Sequence, residues 1–310
     1  MKLHVSALRH PHNPILTPQP NSYASRAVYN PAAWFAEERW WLLARCEAEG
    51  DPCRGRLGIA TSADGYHFSL EETPVLVPEY PYEALGCEDP RVVWLEGQYV
   101  MTYVGNTPVY GGGHICLATS QDGMQWQKWG PVLHPQPGRW NDGQVKAGVI
   151  APFKVRGRYL MFFLGERRPW HTAIGLAYSE DLLHWEEPTD NIVLAPRAGH
   201  FDSMGVEPGP PPVWTENGIL LIYNGWDRHR VHCVGAALLD PEDPRRVVAR
   251  TPSPFLRPTE AWEQRGQTPN VVFATGLVCR PSRWWLYYGA ADRVVGLAQL
   301  SIEWNGQEIT

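Results

Sequence analysis

The sequence lacks the features that would mark a membrane protein or a nucleic-acid-binding protein. Its 310 residues carry a net charge of −6, so no basic excess is present to bind nucleic acid or an anionic membrane surface. The longest apolar runs are far shorter than the about 20 residues that a membrane-spanning helix needs. The first residues, MKLHVSALRHPHNPIL, contain no continuous apolar stretch of the kind found in signal peptides. We therefore expect a cytoplasmic protein with a small-molecule partner, and nothing in the sequence indicates its oligomeric state.

Metal and disulfide motifs are also scarce. The six cysteines are scattered without a CxxC pair, mostly in or beside apolar runs, which favours buried small side chains over disulfides or a metal site. The histidines of HRVH (229–232) have no carboxylate-rich partner motif. We expect neither a metal nor a cofactor. No long amphipathic helical pattern stands out, which argues against a TIM barrel or a Rossmann sheet.

A short phrase, in contrast, recurs along the chain. GIATSADGYHF (58–68), CLATSQDGMQW (116–126) and GLAYSEDLLHW (175–185) are close copies, and GAALLD from 235 and GLAQL from 296 are weaker ones. The alanines at the centre of these phrases are separated by 58, 59, 60 and 61 residues. Self-similarity at a near-constant interval is typical of repeat architectures.

Each phrase follows an aromatic and aliphatic run of strand length, such as YLMFFLGE (159–166), and most of these runs follow a further strand candidate. About four antiparallel strands per 60 residues, repeated five times, predict a five-bladed β-propeller over a single domain, residues 1–310. Residues 1–34 are expected to complete the last blade, since residues 299–310 leave it short. An all-β sandwich with accidental similarity is the alternative.

A propeller brings polar groups from every blade to a central funnel, so charged residues beside apolar strands are candidates for a site there. The most specific cluster is CEDPR (87–91), in which two acids and an arginine surround a proline. A salt-bridged turn at the start of a strand is the alternative interpretation of that cluster.

Several segments together resemble glycoside hydrolase family 130, the β-mannoside phosphorylases and β-mannosidases. The resemblance begins with GCEDPRVVWLEGQYVMTYVG (86–105) and NPAAW (30–34), and it continues through GPPPVWTENGILLIYNG (209–225) to YYGAAD (287–292). It extends in order over nearly the whole chain. It implies a five-bladed propeller and an inverting enzyme that acts on β-mannosides, a carbohydrate substrate, in the central funnel.

The resemblance also implies roles for individual residues. Asp89 matches the family's general acid, which protonates the glycosidic oxygen through the 3-hydroxyl of the mannose being cleaved. The positions that match residues holding that sugar are Asn30, Arg45, Glu88, Lys146 and Asp292, and Arg91 lies beside the acid. Independently of the resemblance, aromatic side chains on loops, such as Trp140, Trp170 and Trp226, are expected to line a cleft, because flat aromatic faces suit the C–H surfaces of a pyranose ring.

The nucleophile divides the family, because phosphorylases use inorganic phosphate and hydrolases use water. Four residues are candidates for the side of the site from which the nucleophile attacks: Glu166, Arg167, Asn224 and His232. Each of them differs from the phosphorylase pattern or lies next to a residue that does. Glu207 is an added carboxylate, and it is expected to activate water as the general base, with Glu263 as a second candidate that also suits a structural or sugar-binding role. The sequence thus predicts an inverting hydrolase. A phosphate-dependent phosphorylase, with inorganic phosphate as co-substrate, and a non-catalytic carbohydrate-binding propeller are the alternatives.

Overall fold

The computed structural model describes residues 2–109, 112–280 and 283–309, and these residues form the predicted five-bladed β-propeller. The chain starts with β1 (Leu3–Arg9). Blade one contains β2 (Ala27–Ala36), β3 (Arg39–Glu47), β4 (Arg56–Ser62) and β5 (Ser69–Leu70). Blade two contains β6 (Gly86–Leu95), β7 (Gln98–Asn106), β8 (His114–Ser120) and β9 (Gln127–Leu133). Blade three contains β10 (Gln144–Val155), β11 (Arg158–Arg168), β12 (His171–Ser179) and β13 (Ile192–Leu194).

The remaining strands build two further blades. Blade four contains β14 (Gly205–Pro208), β15 (Val213–Thr215), β16 (Gly218–Trp226), β17 (His232–Leu239) and β18 (Val247–Arg250). Blade five contains β19 (Val272–Arg280), β20 (Arg283–Ala290), β21 (Val294–Trp304) and the short β22 (Gln307–Glu308). Among the residues that the structure describes, helix is confined to a 3₁₀ turn (Pro81–Glu83) and α1 (Ala261–Gln264). Within the described ranges no helix is long and apolar enough to cross a membrane.

The first strands of the blades lie innermost, where β19 contacts β2, β2 contacts β6, β6 contacts β10 and β10 contacts β14, while β16 and β17 contact β19 at the remaining boundary. Five large hydrophobic clusters make up the core, and each fills the interface between two neighbouring blades. One of them packs Val28 and Leu42 of blade one against Tyr287 and Val295 of blade five, so the ring is closed by apolar contacts.

Ring closure also uses the amino terminus, as the sequence predicts. Strand β1 pairs antiparallel with β21 from Leu3 opposite Trp304 to Arg9 opposite Ala298. The last blade is therefore completed by the first strand of the chain, which leaves β21 without an open edge.

The recurring phrase forms the third long strand of each blade and the turn after it. Its central alanine is fully buried in all five copies. In blade one, the Ser62 hydroxyl donates to Asp64, and that carboxylate accepts the backbone N–H groups of Tyr66 and His67. The same Ser-x-Asp turn recurs in blades two and three. The repeat thus combines a strand with a buried central alanine and, in blades one to three, a turn stabilised by its own carboxylate.

Candidate active site

The inner strands surround a cavity of about 860 Å³ that is lined by side chains from all five blades. Eight of the residues predicted from the sequence line it: Asn30, Arg45, Asp89, Lys146, Glu166, Glu207, His232 and Asp292. Residues that lie more than 260 positions apart along the chain thus meet at one place.

Bulges in the inner strands direct several of these side chains into the cavity. Asn30, Asp89 and Ala147 adopt left-handed backbone angles, with φ of 47°, 50° and 50°, at the points where β2, β6 and β10 break register with their second strands. A bulge leaves residues unpaired and re-aims their side chains, which is a common device beside active sites.

Asp89 is held by groups from two other positions of the ring. Asn30 Nδ2 donates to Asp89 Oδ1 at 2.9 Å, and Arg45 Nη1 lies 3.6 Å from the same oxygen. The fully buried guanidinium of Arg91 donates to the backbone carbonyl of Asp89 at 2.8 Å and to that of Gly209 at 2.8 Å. Arg91 therefore does not line the cavity, and it braces the backbone that carries Asp89.

Two further carboxylates surround Arg45. Its Nη1 donates to Glu88 at 3.0 Å, while its Nη2 donates to Glu47 at 3.0 Å. Glu88 also accepts a hydrogen bond from Asn106 and is not among the residues that line the cavity, so its predicted contact with the sugar is corrected to a role in holding Arg45. Burial raises the pKa of Glu88 against the opposing effect of Arg45, and the charge of Asp89 raises it further.

Asp292, from the turn between β20 and β21, faces the cavity beside Thr268. The Thr268 hydroxyl donates to Asp292 Oδ2 at 2.5 Å. Burial raises the pKa of Asp292, and the hydrogen bond from Thr268 and the charge of Arg45 oppose that rise. The carboxylate thus keeps one oxygen for a ligand in the cavity.

Lys146 and Glu207 occupy the cavity without a hydrogen-bond partner among the described residues. Glu207 is buried, and burial raises its pKa to about 7, although Lys146 and Arg91 lower it. For Lys146, burial lowers the pKa, but the negative charges of Glu207 and Asp89 outweigh this and raise it. The site thus holds a protonated amine near a carboxyl group that changes charge around neutral pH.

Both carboxylate oxygens of Glu166 are engaged. One accepts the N–H of Trp170 at 2.5 Å and the other accepts from Gln144 Nε2 at 2.8 Å. Trp170 is at the tip of the β11–β12 hairpin, where the guanidinium of Arg230 stacks 4.3 Å from its ring centroid. Glu166 therefore fixes the hairpin that carries an aromatic side chain at the cavity mouth, and Trp226 also lines the cavity. The prediction for Trp140 is corrected, because its ring stacks on Phe163 and its indole N–H donates to Asn191, outside the cavity lining.

His232 lines the cavity as a neutral imidazole. Burial lowers its pKa to about 4. Its Nδ1 lies 3.0 Å from the carbonyl oxygen of Arg230, which can only accept, so Nδ1 carries the proton and Nε2 is left as an acceptor. His232 is therefore suited to receive a hydrogen bond from a hydroxyl group.

Two residues predicted for the nucleophile side lie elsewhere. The Asn224 side chain forms two hydrogen bonds with the backbone of Ala274 in blade five. Its amide group therefore links two blades. Arg167 is exposed and points toward Asp142 at 3.6 Å, outside the cavity lining. The prediction that these two residues face the nucleophile is corrected, because the Asn224 amide is bound to blade five and Arg167 is exposed outside the cavity lining.

Glu263, the second candidate base, also lies outside the cavity. Its carboxylate is fully buried, where it accepts two hydrogen bonds from Arg9 and one from the Tyr288 hydroxyl. It also accepts the N–H groups of Thr259 and Glu260, which caps α1. The prediction of a base at this position is corrected to a structural role that ties the amino-terminal strand to blade five.

Several residues that line the cavity were not predicted from the sequence. Gln144 precedes the bulge of β10, Thr268 and Asn270 lie in the loop after α1, and Arg230 lies in the loop before β17. No local pattern marks these four residues. In the described part of the chain, no group of three or more His, Cys, Asp or Glu side chains is placed to hold a metal ion.

Comparisons with known proteins indicate one family over nearly the whole chain. Residues 8–305 match the glycoside hydrolase family 130 profile, described as "beta-1,4-mannooligosaccharide phosphorylase". A 1,2-beta-oligomannan phosphorylase of Thermoanaerobacter sp. (strain X514) is 36% identical, with 94% of this chain and 95% of the relative covered. A beta-1,2-mannobiose phosphorylase of the same organism is 34% identical with the same coverage.

A solved structure described as "The GH130 family of mannoside phosphorylases contains glycoside hydrolases that target beta-1,2 mannosidic linkages in Candida mannan" superposes with a TM-score of 0.84. It is 34% identical in sequence, and the match covers 95% of this chain and 93% of that one. The extent of these matches and the shared fold show that the chain belongs to glycoside hydrolase family 130.

Proposed function

We propose that the protein is a phosphate-dependent β-mannoside phosphorylase. The sequence analysis predicted hydrolysis, with Glu207 activating water, and this prediction is wrong because the relatives at 36% and 34% identity are named phosphorylases. Hydrolases described for the family share the same fold, so the fold alone does not separate the two reactions. The observation in the site that supports phosphorolysis is the unpartnered ammonium of Lys146 in the cavity.

In this proposal Asp89 is the general acid. It gives its proton to the 3-hydroxyl of the mannose, whose own proton passes to the glycosidic oxygen as the bond from that oxygen to the anomeric carbon breaks. A phosphate oxygen forms the new bond from the opposite face. Inversion converts a β-mannoside into α-mannose 1-phosphate and releases the remaining sugar as an alcohol. The proton that Asp89 loses is replaced by the one that hydrogen phosphate gives up. Asn30 and Arg45 keep the carboxyl group in place.

The mannose unit is proposed to lie against blades one, two and five. Asn30 Oδ1 is buried and accepts no hydrogen bond from the described residues, so a sugar hydroxyl would satisfy it. Asp292 faces the same cavity with one oxygen left free by Thr268. A buried acceptor without a donor costs free energy, and binding of a polyol removes that cost.

Phosphate is proposed to bind near Lys146. Arg45 is neutralised by Glu47 and Glu88, whereas Lys146 has no partner within the described ranges and Arg230 and His229 line the same cavity. A phosphate dianion would be repelled by an ionised Glu207. Because the pKa of Glu207 is raised to about 7, this carboxyl is partly protonated near neutral pH and can donate a hydrogen bond to phosphate.

The test is to incubate the purified protein with β-1,2- and β-1,4-linked manno-oligosaccharides, with and without inorganic phosphate. Sugar release that requires phosphate and produces α-mannose 1-phosphate supports the proposal. Equal release without phosphate overturns it. Binding without turnover of any of these substrates also overturns it, and would favour a carbohydrate-binding role. The Asp89→Asn variant controls for a contaminating enzyme, because it should remain folded and turn over about 10²–10⁴-fold more slowly.

A further inference from the structure

A second cavity, of about 760 Å³, lies on the outer side of blade two and shares no lining residue with the central cavity. Two aromatic side chains are exposed in it, Tyr80 at 47% and Trp129 at 49%. The Trp129 indole donates to the Thr119 hydroxyl at 3.0 Å, and the Tyr80 ring stacks on Tyr82 with centroids 5.3 Å apart. Both rings are therefore held in place while large parts of them face solvent.

Four glutamines line the same groove: Gln98, Gln121, Gln125 and Gln127. The chain contains eleven glutamines, so this groove holds more than a third of them. None of the four side-chain amides hydrogen-bonds to another residue in the described part of the chain. Each amide offers two donors and one acceptor oxygen to a ligand.

The charged groups of the groove, in contrast, are engaged within the protein. The Lys128 ammonium contacts Glu83 at 2.8 Å and Glu79 at 3.2 Å. Asp122 accepts hydrogen bonds from the Ser120 hydroxyl and from two backbone N–H groups. What remains for a ligand is a set of uncharged amides beside two aromatic faces, which suits a neutral, hydroxyl-rich molecule.

The propeller fold does not demand glutamines at these positions. The turn that carries three of them has the same Ser-x-Asp hydrogen bonds in blades one and three. The residues equivalent to Gln121, Gln125 and Gln127 are Ala63, His67 and Ser69 in blade one and Glu180, His184 and Glu186 in blade three. Because the turn forms equally well with other side chains, the glutamines of blade two call for an explanation other than folding.

We propose that this groove, named here the blade-two groove, binds a stretch of a β-mannooligosaccharide chain at a distance from the reacting bond. The exposed face of Trp129 would stack on the C–H surface of a pyranose ring, and the exposed part of the Tyr80 ring, which Tyr82 and Lys128 cover only partly, would pack against the chain beside it. The glutamines would pair with the sugar hydroxyl groups. The choice of a mannoside rests on the proposed function. The groove would retain long substrates on the enzyme and leave the chemistry at Asp89 unchanged.

The experiment compares the Tyr80→Ala/Trp129→Ala double variant with the wild-type protein in native gels that contain soluble β-mannan. Mannobiose is added without phosphate to occupy the central cavity. The double variant is expected to bind the polymer about tenfold more weakly, because each aromatic contact is worth a few-fold in affinity. Trp214→Ala is the matched control, since Trp214 is equally exposed at 49% and lies outside the groove.

Equal retardation of the double variant and the control would overturn the proposal. A second measurement is the Michaelis constant for mannobiose and for a long mannooligosaccharide. We expect the Michaelis constant of the double variant to be raised for the long substrate alone. An equal rise for both substrates would also overturn the proposal that the groove binds the chain. If the wild-type protein releases sugar without phosphate, the proposed function fails, but retardation in the gel still tests whether the groove binds the polymer.

Discussion

Replacing Glu207 by glutamine is expected to remove a pH dependence from phosphate binding. Glu207 is 7% exposed and lies in the central cavity, where burial raises the pKa of its carboxyl to about 7 and Lys146 opposes the rise. If phosphate binds only when this carboxyl is protonated, its Michaelis constant should rise about tenfold between pH 6 and pH 8 in the wild-type protein. Glutamine remains a neutral donor at every pH, so the variant should lack that rise.

The assay is the initial rate of phosphorolysis as a function of phosphate concentration, at half-unit steps from pH 6 to pH 8.5. The ionisation of phosphate itself affects both proteins equally. The ratio of the Michaelis constants of the wild-type protein and the variant therefore isolates the effect of Glu207 ionisation. Glu187→Gln is the matched control, because burial also raises the pKa of Glu187 but its carboxylate pairs with Asn141 and Asn191 outside the cavity. A Glu207→Gln variant that loses all turnover would refute the reasoning, since a group that only contacts phosphate is dispensable for proton transfer.

The same substitution tests the linkage between charge and stability. The pKa of Glu207 is higher in the folded protein than its ordinary value of 4.5, so the unfolded chain ionises first as pH rises. The stability that the neutral carboxyl provides is present below about pH 4.5 and is lost as pH rises to about 7, a loss of about 3 kcal/mol. Glu207→Gln should therefore gain stability over the wild type at pH 8 and little at pH 4.5, as measured by chemical denaturation.

Three further outcomes are expected. Asp89→Asn should lower turnover by about 10²–10⁴-fold with little change in melting temperature, since it removes the proposed general acid from a solvent-accessible cavity. Lys146→Ala should raise the Michaelis constant for phosphate by about 10–100-fold, the value of a hydrogen bond to a charged group, and an unchanged constant would place phosphate elsewhere. Arg9→Ala should lower the free energy of unfolding by about 3 kcal/mol because it leaves the buried Glu263 unpaired, whereas Arg245→Ala, at an exposed ion pair, should cost less than about 1 kcal/mol in the same denaturation experiment.

Much of the fold was predictable because each blade is a local structure. The recurring phrase encodes a buried strand and a turn within about eleven residues, so its five copies locate the blades. The closing strand followed from geometry, since a ring of antiparallel blades has to complete its last sheet with one of the two ends of the chain. The pairing of β1 with β21 agrees with that expectation.

The site was predictable only in part. Asn30 and Asp89 precede prolines at bulges of the inner strands, so a polar residue followed by proline was a usable local signal. Asn224 and Glu207 are opposite one another in β16 and β14, yet only Glu207 reaches the cavity. The difference arises because the backbone of Ala274, 50 residues further along, binds both ends of the Asn224 amide.

The sequence by itself determined the number of blades, their order and the family, because these depend on strand-length patterns and on motifs that lie close together in the chain. Only the tertiary structure decided which charged groups face the cavity and which pair with other charged groups to stabilise the ring. Glu263 shows the reason: its partner Arg9 is 254 residues away, and no local spacing reveals that the two side chains meet when the ring closes.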